Sequence, residues 1–280
     1  MKQEVIETDD LPYALCRYGT SRMLFRGPRK RLDSPYLAFI GGTETFGKYI
    51  EKPFPTLVEE ATGRTCVNLG CVNGGIDAYV NDPTVLGICK KAKLTVIQIM
   101  GANNLSNRFY SVHPRRNDRF LRASTVLQTY YYDVDFSEFT FTRHMLGALY
   151  DRSHNRFEAI VQELQQTWIV QMKKMIEQIG QPCILLWFSA DRLSNDHWSK
   201  HQRQLQVDPL FITASMIAEL KDHVDHVVVA NPSETAIGYG TKGMYFPKSQ
   251  LKAASEMLGV ACHKEGSSVL LPKIFGKLHS

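Results

Sequence analysis

Three short turns hold most of the residues in this chain whose types could do chemistry. They read Gly41-Gly42-Thr43-Glu44-Thr45-Phe46-Gly47, Asn68-Leu69-Gly70-Cys71-Val72-Asn73-Gly74-Gly75 and Gly101-Ala102-Asn103-Asn104. Glycine permits tight turns and close backbone approach, and the Thr and Asn side chains supply hydrogen-bond donors. Thr43 is a candidate hydroxyl nucleophile and Asn103 a candidate donor to a carbonyl oxygen. Glu44, Asn73 and Asn104 are candidate substrate contacts. Plainer roles stand beside these: a helix cap for Thr43, turn stabilisation for Asn103 and Asn104, and a first-turn complement to the helix dipole for Glu44. Cys71 lies close by and reads as a buried small hydrophobe rather than a nucleophile.

Each turn directly follows an apolar run. Short, continuous, β-branched segments at 36–40, 65–69, 94–100, 183–188 and 226–230 predict five strands buried on both faces. Between them, 83–92 is a short helix, and 156–179 is a long one with a largely apolar face, stopped by Gly180. Residues 209–220 and 249–258 predict two further amphipathic helices, the latter closed by Gly259. Strands alternating with helices imply right-handed crossovers and an α/β three-layer sandwich around a mainly parallel five-stranded sheet. In such a sheet ligands bind beyond the carboxyl ends of the strands, where the three turns fall. Residues 1–35 read as a polar N-terminal extension that wraps the domain. Residues 105–155 read as an insertion without strand-helix alternation, and an insertion of that length is more often functional than ornamental.

Composition removes several alternatives. With 44% hydrophobic and 22% charged residues the chain has an ordinary globular balance. Its apolar runs are far shorter than the roughly 20 residues a membrane helix needs, so no transmembrane segment is expected. The first residues lack the basic start and apolar stretch of a secretory signal, which predicts a cytoplasmic location. Six scattered cysteines contain no C-x-x-C pair, so reduced thiols rather than a zinc site or redox dithiol are expected. A net charge of +5 is mild for a nucleic-acid binder. No G-x-x-x-x-G-K-[ST] supports a nucleotide P-loop. The expected partner is a small-molecule or glycan substrate, with no cofactor and no metal.

In order and spacing, the three turns resemble the blocks of the SGNH hydrolase superfamily: a G-D-S turn after strand one, an N-x-G-x-x-G type turn after strand two and a G-x-N-D turn after strand three. The likeness spans roughly the first 105 residues, and the chain also resembles an uncharacterised bacterial domain family. The resemblance implies an SGNH-like, flavodoxin-like α/β domain over 36–280. It places Thr43 where the nucleophile stands, with its own backbone N–H and that of Gly74 facing the oxyanion and the Asn103 amide donating alongside. Each such donor is worth about 3 kcal/mol of barrier. Four departures accompany it. Gly42 replaces the family's Asp, Thr43 replaces its Ser, and the second turn holds an extra residue before Gly74. Gly243-Met244-Tyr245-Phe246-Pro247-Lys248 stands where a D-x-x-H precedes the last helix. A hydroxyl needs a neighbouring base to act as a nucleophile, which leaves His113, His144, His197, His223 or His226 as substitutes from other loops.

The insertion adds a second constellation, with His113, Arg115 and Arg116 set among Arg108, Arg119, Arg122 and several aromatic residues. Guanidinium forks match phosphate, sulfate and carboxylate geometry. The alternative is an internal salt-bridge network with Asp118, Asp133, Asp135 and Glu138. Asp191-Arg192 and Asn195-Asp196-His197-Trp198 follow strand four; they could bring the missing base or pack a tryptophan loop on the cleft. Three functions therefore compete: ester or acyl chemistry on a modified sugar or lipid-like substrate, transfer of a sulfuryl or phosphoryl group cradled by Arg115 and Arg116, and ligand binding without catalysis.

Overall fold

The computed structural model describes residues 11–180, 182–195, 205 and 208–278. In chain order the elements are β1 (Tyr36–Ile40), α1 (Thr43–Phe46), α2 (Phe54–Thr62), β2 (Thr65–Asn68), α3 (Ile76–Val80), α4 (Pro83–Lys91), β3 (Leu94–Gln98), a hairpin of β4 (Tyr110–His113) and β5 (Arg116–Ala123), α5 (Thr125–Tyr130), α6 (Thr142–Arg152), α7 (His154–Ile179), β6 (Cys183–Phe188), α8 (Ala214–Ala218), β7 (His226–Ala230), α9 (Glu234–Gly238), α10 (Leu251–Ser255) and α11 (Val260–Leu278).

All five expected strands form one parallel sheet in the order β2-β1-β3-β6-β7. This is the flavodoxin-like winding, in which the chain runs outward from β1 to β2, crosses back to β3 and then continues the other way. The direction reverses between β1 and β3, and in sheets of this kind the carboxyl ends of the strands at that point are where ligands bind. Both sheet faces are buried. Leu37, Phe39, Val96, Ile184 and Leu186 pack with Phe54 and Val58 of α2 and with Leu270 and Ile274 of α11. Tyr36, Ala38, Ile40, Ile97, Leu185 and Trp187 belong to the other core, with α3, α4 and α7. Successive strand residues thus serve opposite cores, which is why these strands read as continuous apolar runs rather than alternating ones.

The longest helix, α7, is started by the Ser153 side chain, which accepts from the Arg156 backbone N–H, and ends at Gly180 in a left-handed conformation (φ 56°). From its buried face the Trp168 indole N–H donates to the Met100 carbonyl at 2.8 Å, so this helix also pins the turn after β3. Residues before β1 contribute Tyr18, Met23 and Phe25 to the same core.

Three helical expectations change. In 209–220 only α8 is helical, because Phe211 adopts a positive φ of 65° and the cap falls at Thr213. The helix expected at 249–258 contracts to α10 preceded by a single 3₁₀ turn at Lys248–Gln250. A 19-residue helix, α11, occupies 260–278 where the sequence reading places none. Its inward face mixes His263, Gly266 and Ser267 with Leu270 and Ile274 and it contains Pro272, so its apolar periodicity is faint. No helix among the described residues is long and apolar enough to cross a membrane.

Candidate functional site

The first turn leaves β1 at Gly41 and enters α1 at once. Gly41 is required by close approach: a Cβ there meets the Thr45 hydroxyl at 2.3 Å and the Gln98 Cβ at 2.6 Å. Gln98, the last residue of β3, reaches under the turn. Its Oε1 accepts from the N–H groups of Gly42 and Thr45, both at 3.1 Å, and from the Thr45 hydroxyl at 2.6 Å. Its Nε2 donates to Glu44 at 3.3 Å. Gln98 is thus an organising residue that the sequence reading passes over; its one signal is an amide ending an otherwise apolar strand. The buried Tyr79 hydroxyl completes the support, lying between the carbonyls of Gly41 (2.5 Å) and Leu69 (2.9 Å).

Thr43 is the first residue of α1 and not its cap, a position taken by Gly42 without any side-chain bond. Its hydroxyl donates to Asn73 Oδ1 at 3.3 Å and accepts from the Asn73 backbone N–H at 3.0 Å. Asn73 stands in the left-handed region at φ 55°, which asparagine tolerates better than most residues. The N–H of Gly74, which the resemblance implies faces an oxyanion, donates to the Cys71 carbonyl at 2.9 Å.

The hairpin docks on this second turn. Asn117, fully buried, accepts through Oδ1 from the N–H groups of Gly75 (2.8 Å) and Ala78 (3.2 Å), satisfying the start of α3, which has no side-chain cap of its own. Beside it Asp118 accepts from Asn73 Nδ2 at 3.1 Å. A hydrogen-bonded row therefore runs Thr43, Asn73, Asp118. At the hairpin tip the His113 Nδ1 accepts from the backbone N–H groups of Arg115 and Arg116, both at 3.2 Å, which commits that nitrogen to the turn. Arg115 and Arg116 are exposed. The expected internal salt-bridge network does not form among the described residues: Arg108 pairs with Glu163, and Asp133 pairs with Arg152 and Arg156.

In the third turn Asn103 is buried, and its Nδ2 donates to Asn104 Oδ1 at 2.9 Å. Asn104 Oδ1 also accepts from the Thr142 hydroxyl at 2.7 Å. The next residue of α6, Arg143, grips Asp208 bidentately at 2.8 and 2.9 Å. Asp208 faces Glu44. The protein surrounding Glu44 pushes its carboxyl above the ordinary range, and the negative charge of Asp208 pushes it further; the Gln98 amide opposes this. Asp208 keeps 62% of its side-chain exposure, with the protein around it partly desolvating the carboxyl. Those surroundings raise its pKa, and the Arg143 pair opposes that shift. Cys71 is pushed up to about 11 by burial and by Asp118, which keeps it a thiol at neutral pH.

Among the described residues no histidine or carboxylate hydrogen-bonds to Thr43, whose side-chain partner is Asn73. His144 is exposed on α6 and meets the Phe139 ring. His223 and His226 lie at and just before the start of β7, the sheet edge opposite the turns. His197, Asp196 and Trp198 lie outside the described residues. The segment 243–248 comes to the stretch just past the first turn, where the Tyr245 N–H donates to the Tyr49 carbonyl at 2.9 Å and Phe246 packs edge-on against the Tyr49 ring. It brings aromatic rings where the resemblance implies Asp and His. Buried His263 accepts from the Phe54 N–H, and burial holds it down to about 3, so it serves the core as a neutral acceptor. No cluster of three or more His, Cys, Asp and Glu able to hold a metal occurs among the described residues.

The family model described as "Domain of unknown function (DUF6473)" matches residues 1–278, and the chain belongs to that family. No curated protein matches the sequence. Among solved structures, the lipase Lip_vut3 from a goat rumen metagenome is similar at 13% identity and a TM-score of 0.38, covering 85% of this chain and 96% of the lipase.

Proposed function

We propose that residues 36–280 form an SGNH-like unit, with 105–155 inserted, that acts on a polar, ester-bearing molecule of sugar or lipid-like type. In this reading proton transfer falls to Glu44 rather than to a histidine-activated Thr43. The observation that carries it is the setting of Glu44. It follows Thr43 directly at the carboxyl end of β1, its pKa is lifted by surrounding protein, and it faces Asp208, itself held by Arg143. Burial and the negative charge of Asp208 favour the protonated form of Glu44, and a carboxylic acid raised in this way is better suited to give or take a proton than an ordinary glutamate. Thr43, the Asn73 N–H and the Asn103 amide would then be polar contacts to the ester carbonyl, with Asn104 orienting Asn103. Arg115 and Arg116, on the exposed hairpin tip, would meet anionic parts of the substrate.

The test is turnover of p-nitrophenyl acetate and of an O-acetylated sugar by the wild-type chain, Glu44→Gln and Thr43→Ala. Loss of a general acid-base group lowers kcat by about 10² to 10⁴-fold, and loss of a carbonyl contact by about 100-fold. Undiminished turnover in Glu44→Gln rejects the role given to Glu44. One observation favours a second reading, a binding module without catalysis: the Thr43 hydroxyl faces an amide and not a base. That reading expects no turnover by the wild type, together with thermal stabilisation by the acetylated sugar that disappears in Thr43→Ala.

A further inference from the structure

The loop and short helices after β7 carry a surface that the cleft does not use. Ile237, Tyr239, Tyr245 and Leu251 keep 42%, 52%, 45% and 54% of their exposure, far above what large apolar side chains show inside a fold. Lys242, Lys248 and Lys252 are exposed between them. From residue 235 to residue 255 the sequence contains these three lysines and no Asp or Glu, with exposed Glu234 and Glu256 at its two ends. The Lys242 ammonium stands over the Tyr239 ring at 5.4 Å. Next to the segment, Lys48 stands over the Tyr49 ring at 4.7 Å, adding a fourth positive charge.

The inner side of the segment is anchored. The Tyr245 N–H bonds to the Tyr49 carbonyl, the Tyr49 hydroxyl bonds to Gln250, and Gly259 abuts the Gly240 carbonyl. The nearest carboxylate on α11, Glu265, is taken up by the Ser233 N–H and hydroxyl, both at 2.7 Å. A fixed backbone therefore presents tyrosines, aliphatic side chains and four lysines outward, against the two flanking carboxylates Glu234 and Glu256. That combination suits the boundary layer of a bilayer: aromatic rings with a polar tip sit at headgroup level, aliphatic tips enter the acyl region, and lysines reach anionic phosphates.

We propose that residues 237–252 dock the protein on an anionic lipid surface. Docking sets the outer side of the loop on the membrane while its inner side continues to support Tyr49, beyond the first turn of the cleft. The proposal is independent of which chemistry the cleft performs.

The experiment is co-sedimentation of the full chain with vesicles of phosphatidylcholine alone and of phosphatidylcholine mixed three to one with phosphatidylglycerol, at low and at physiological salt. The wild type is expected to sediment with the mixed vesicles only, and less at higher salt. The triple variant Lys242→Ala, Lys248→Ala, Lys252→Ala should partition on the order of 100-fold more weakly, at about fivefold per lysine. Leu251→Asp should weaken binding with all lysines in place. As a control for simple net charge, Lys90→Ala, Lys91→Ala, Lys93→Ala removes the same charge from exposed positions at the amino end of the sheet, just before β3; it should bind like the wild type. Failure of the wild type to bind mixed vesicles at low salt overturns the proposal. So does equal loss in the two triple variants, or a wild-type homodimer in sedimentation velocity that Leu251→Asp dissociates, which would assign the patch to a second copy.

Discussion

The turns after β1, β2 and β3 are tied together by side chains buried behind them, whereas the loop after β7 is anchored on its inner side and leaves its outer side to solvent. Gln98, Tyr79 and Asn117 each satisfy backbone groups of a turn they do not belong to. The β7 loop is tied near its start by Asn231 to the carbonyls of Ser189 and Asp191 and by Ser233 to Glu265, while its stretch 243–250 is held by a backbone bond to Tyr49, a side-chain bond from Tyr49 to Gln250 and an aromatic contact from Phe246. The difference shows where geometry is held. Buried polar groups are costly to leave unpaired, so the first three turns are constrained in conformation, while the outer side of the 237–252 stretch tolerates change in the residues it presents. In the SGNH-like reading proposed above, this accounts for the departures being more drastic at 243–248 than in the turns that hold Thr43 and Asn103.

The strongest way to break this contrast is Gln98→Ala. It orphans the N–H groups of Gly42 and Thr45 in a buried turn and should cost about 3 kcal/mol, lowering Tm by about 10 °C. Phe246→Ala, half-buried in the opposing loop, should cost about 1 kcal/mol. Thermal unfolding of both variants decides the matter: equal losses would mean that the two regions are held alike. Asn117→Ala is next, at about 2 kcal/mol, because the start of α3 loses its acceptor and the hairpin its seat. Hydrogen exchange should show faster opening at Gly75 and Ala78 than at Tyr245; uniform acceleration would contradict a local role for Asn117.

These two residues also mark the limit of what the sequence discloses. The five strands are legible because burial on both faces demands continuous apolar runs, and the turns are legible because glycine and asparagine are the residue types that tight turns require. Gln98 is one amide at the end of an apolar strand, and nothing near it in sequence names the turn it supports. Asn117 lies in an arginine-rich stretch where charge is the conspicuous property, yet its work is the capping of a distant helix. Glu44, Arg143 and Asp208 come from three separate parts of the chain and are joined only by the packing of α6 and the 208–212 segment over the third turn. The second turn is recognisable by composition, but neither the φ of 55° at Asn73 nor the bond from its N–H to the Thr43 hydroxyl can be read from the residue types.

That φ supplies a smaller test. Asn73→Ala places a residue with a Cβ and no polar tip in the left-handed region, at a cost of about 1 kcal/mol, and also cuts the row from Thr43 to Asp118. Asn73→Gly relieves the conformation and cuts the same row. If the backbone N–H is what Asn73 contributes, Asn73→Gly should keep ligand affinity or turnover close to wild type and Asn73→Ala should lose more. Equal loss in the two would assign the role to the side chain and its bond to Asp118.

The smallest effect concerns Glu44, and it has the opposite sign. Because surrounding protein and the charge of Asp208 raise its pKa in the folded state, the folded chain holds this proton more tightly than the unfolded chain does. Below the ordinary glutamate value both states are protonated and the group is neutral in stability. As pH rises from there through the raised folded value, the unfolded state releases its proton first and stability falls; beyond it the penalty is constant. Glu44→Gln keeps an oxygen to accept from Gln98 and removes the charge. It should therefore be more stable than the wild type at neutral pH, with the gain vanishing once the pH drops below the ordinary glutamate range. Urea unfolding of the two chains across that range measures the difference directly. A wild type that is the more stable at neutral pH would show that Glu44 is held as a favourable anion, and the proton-transfer role proposed for it would fall with that result.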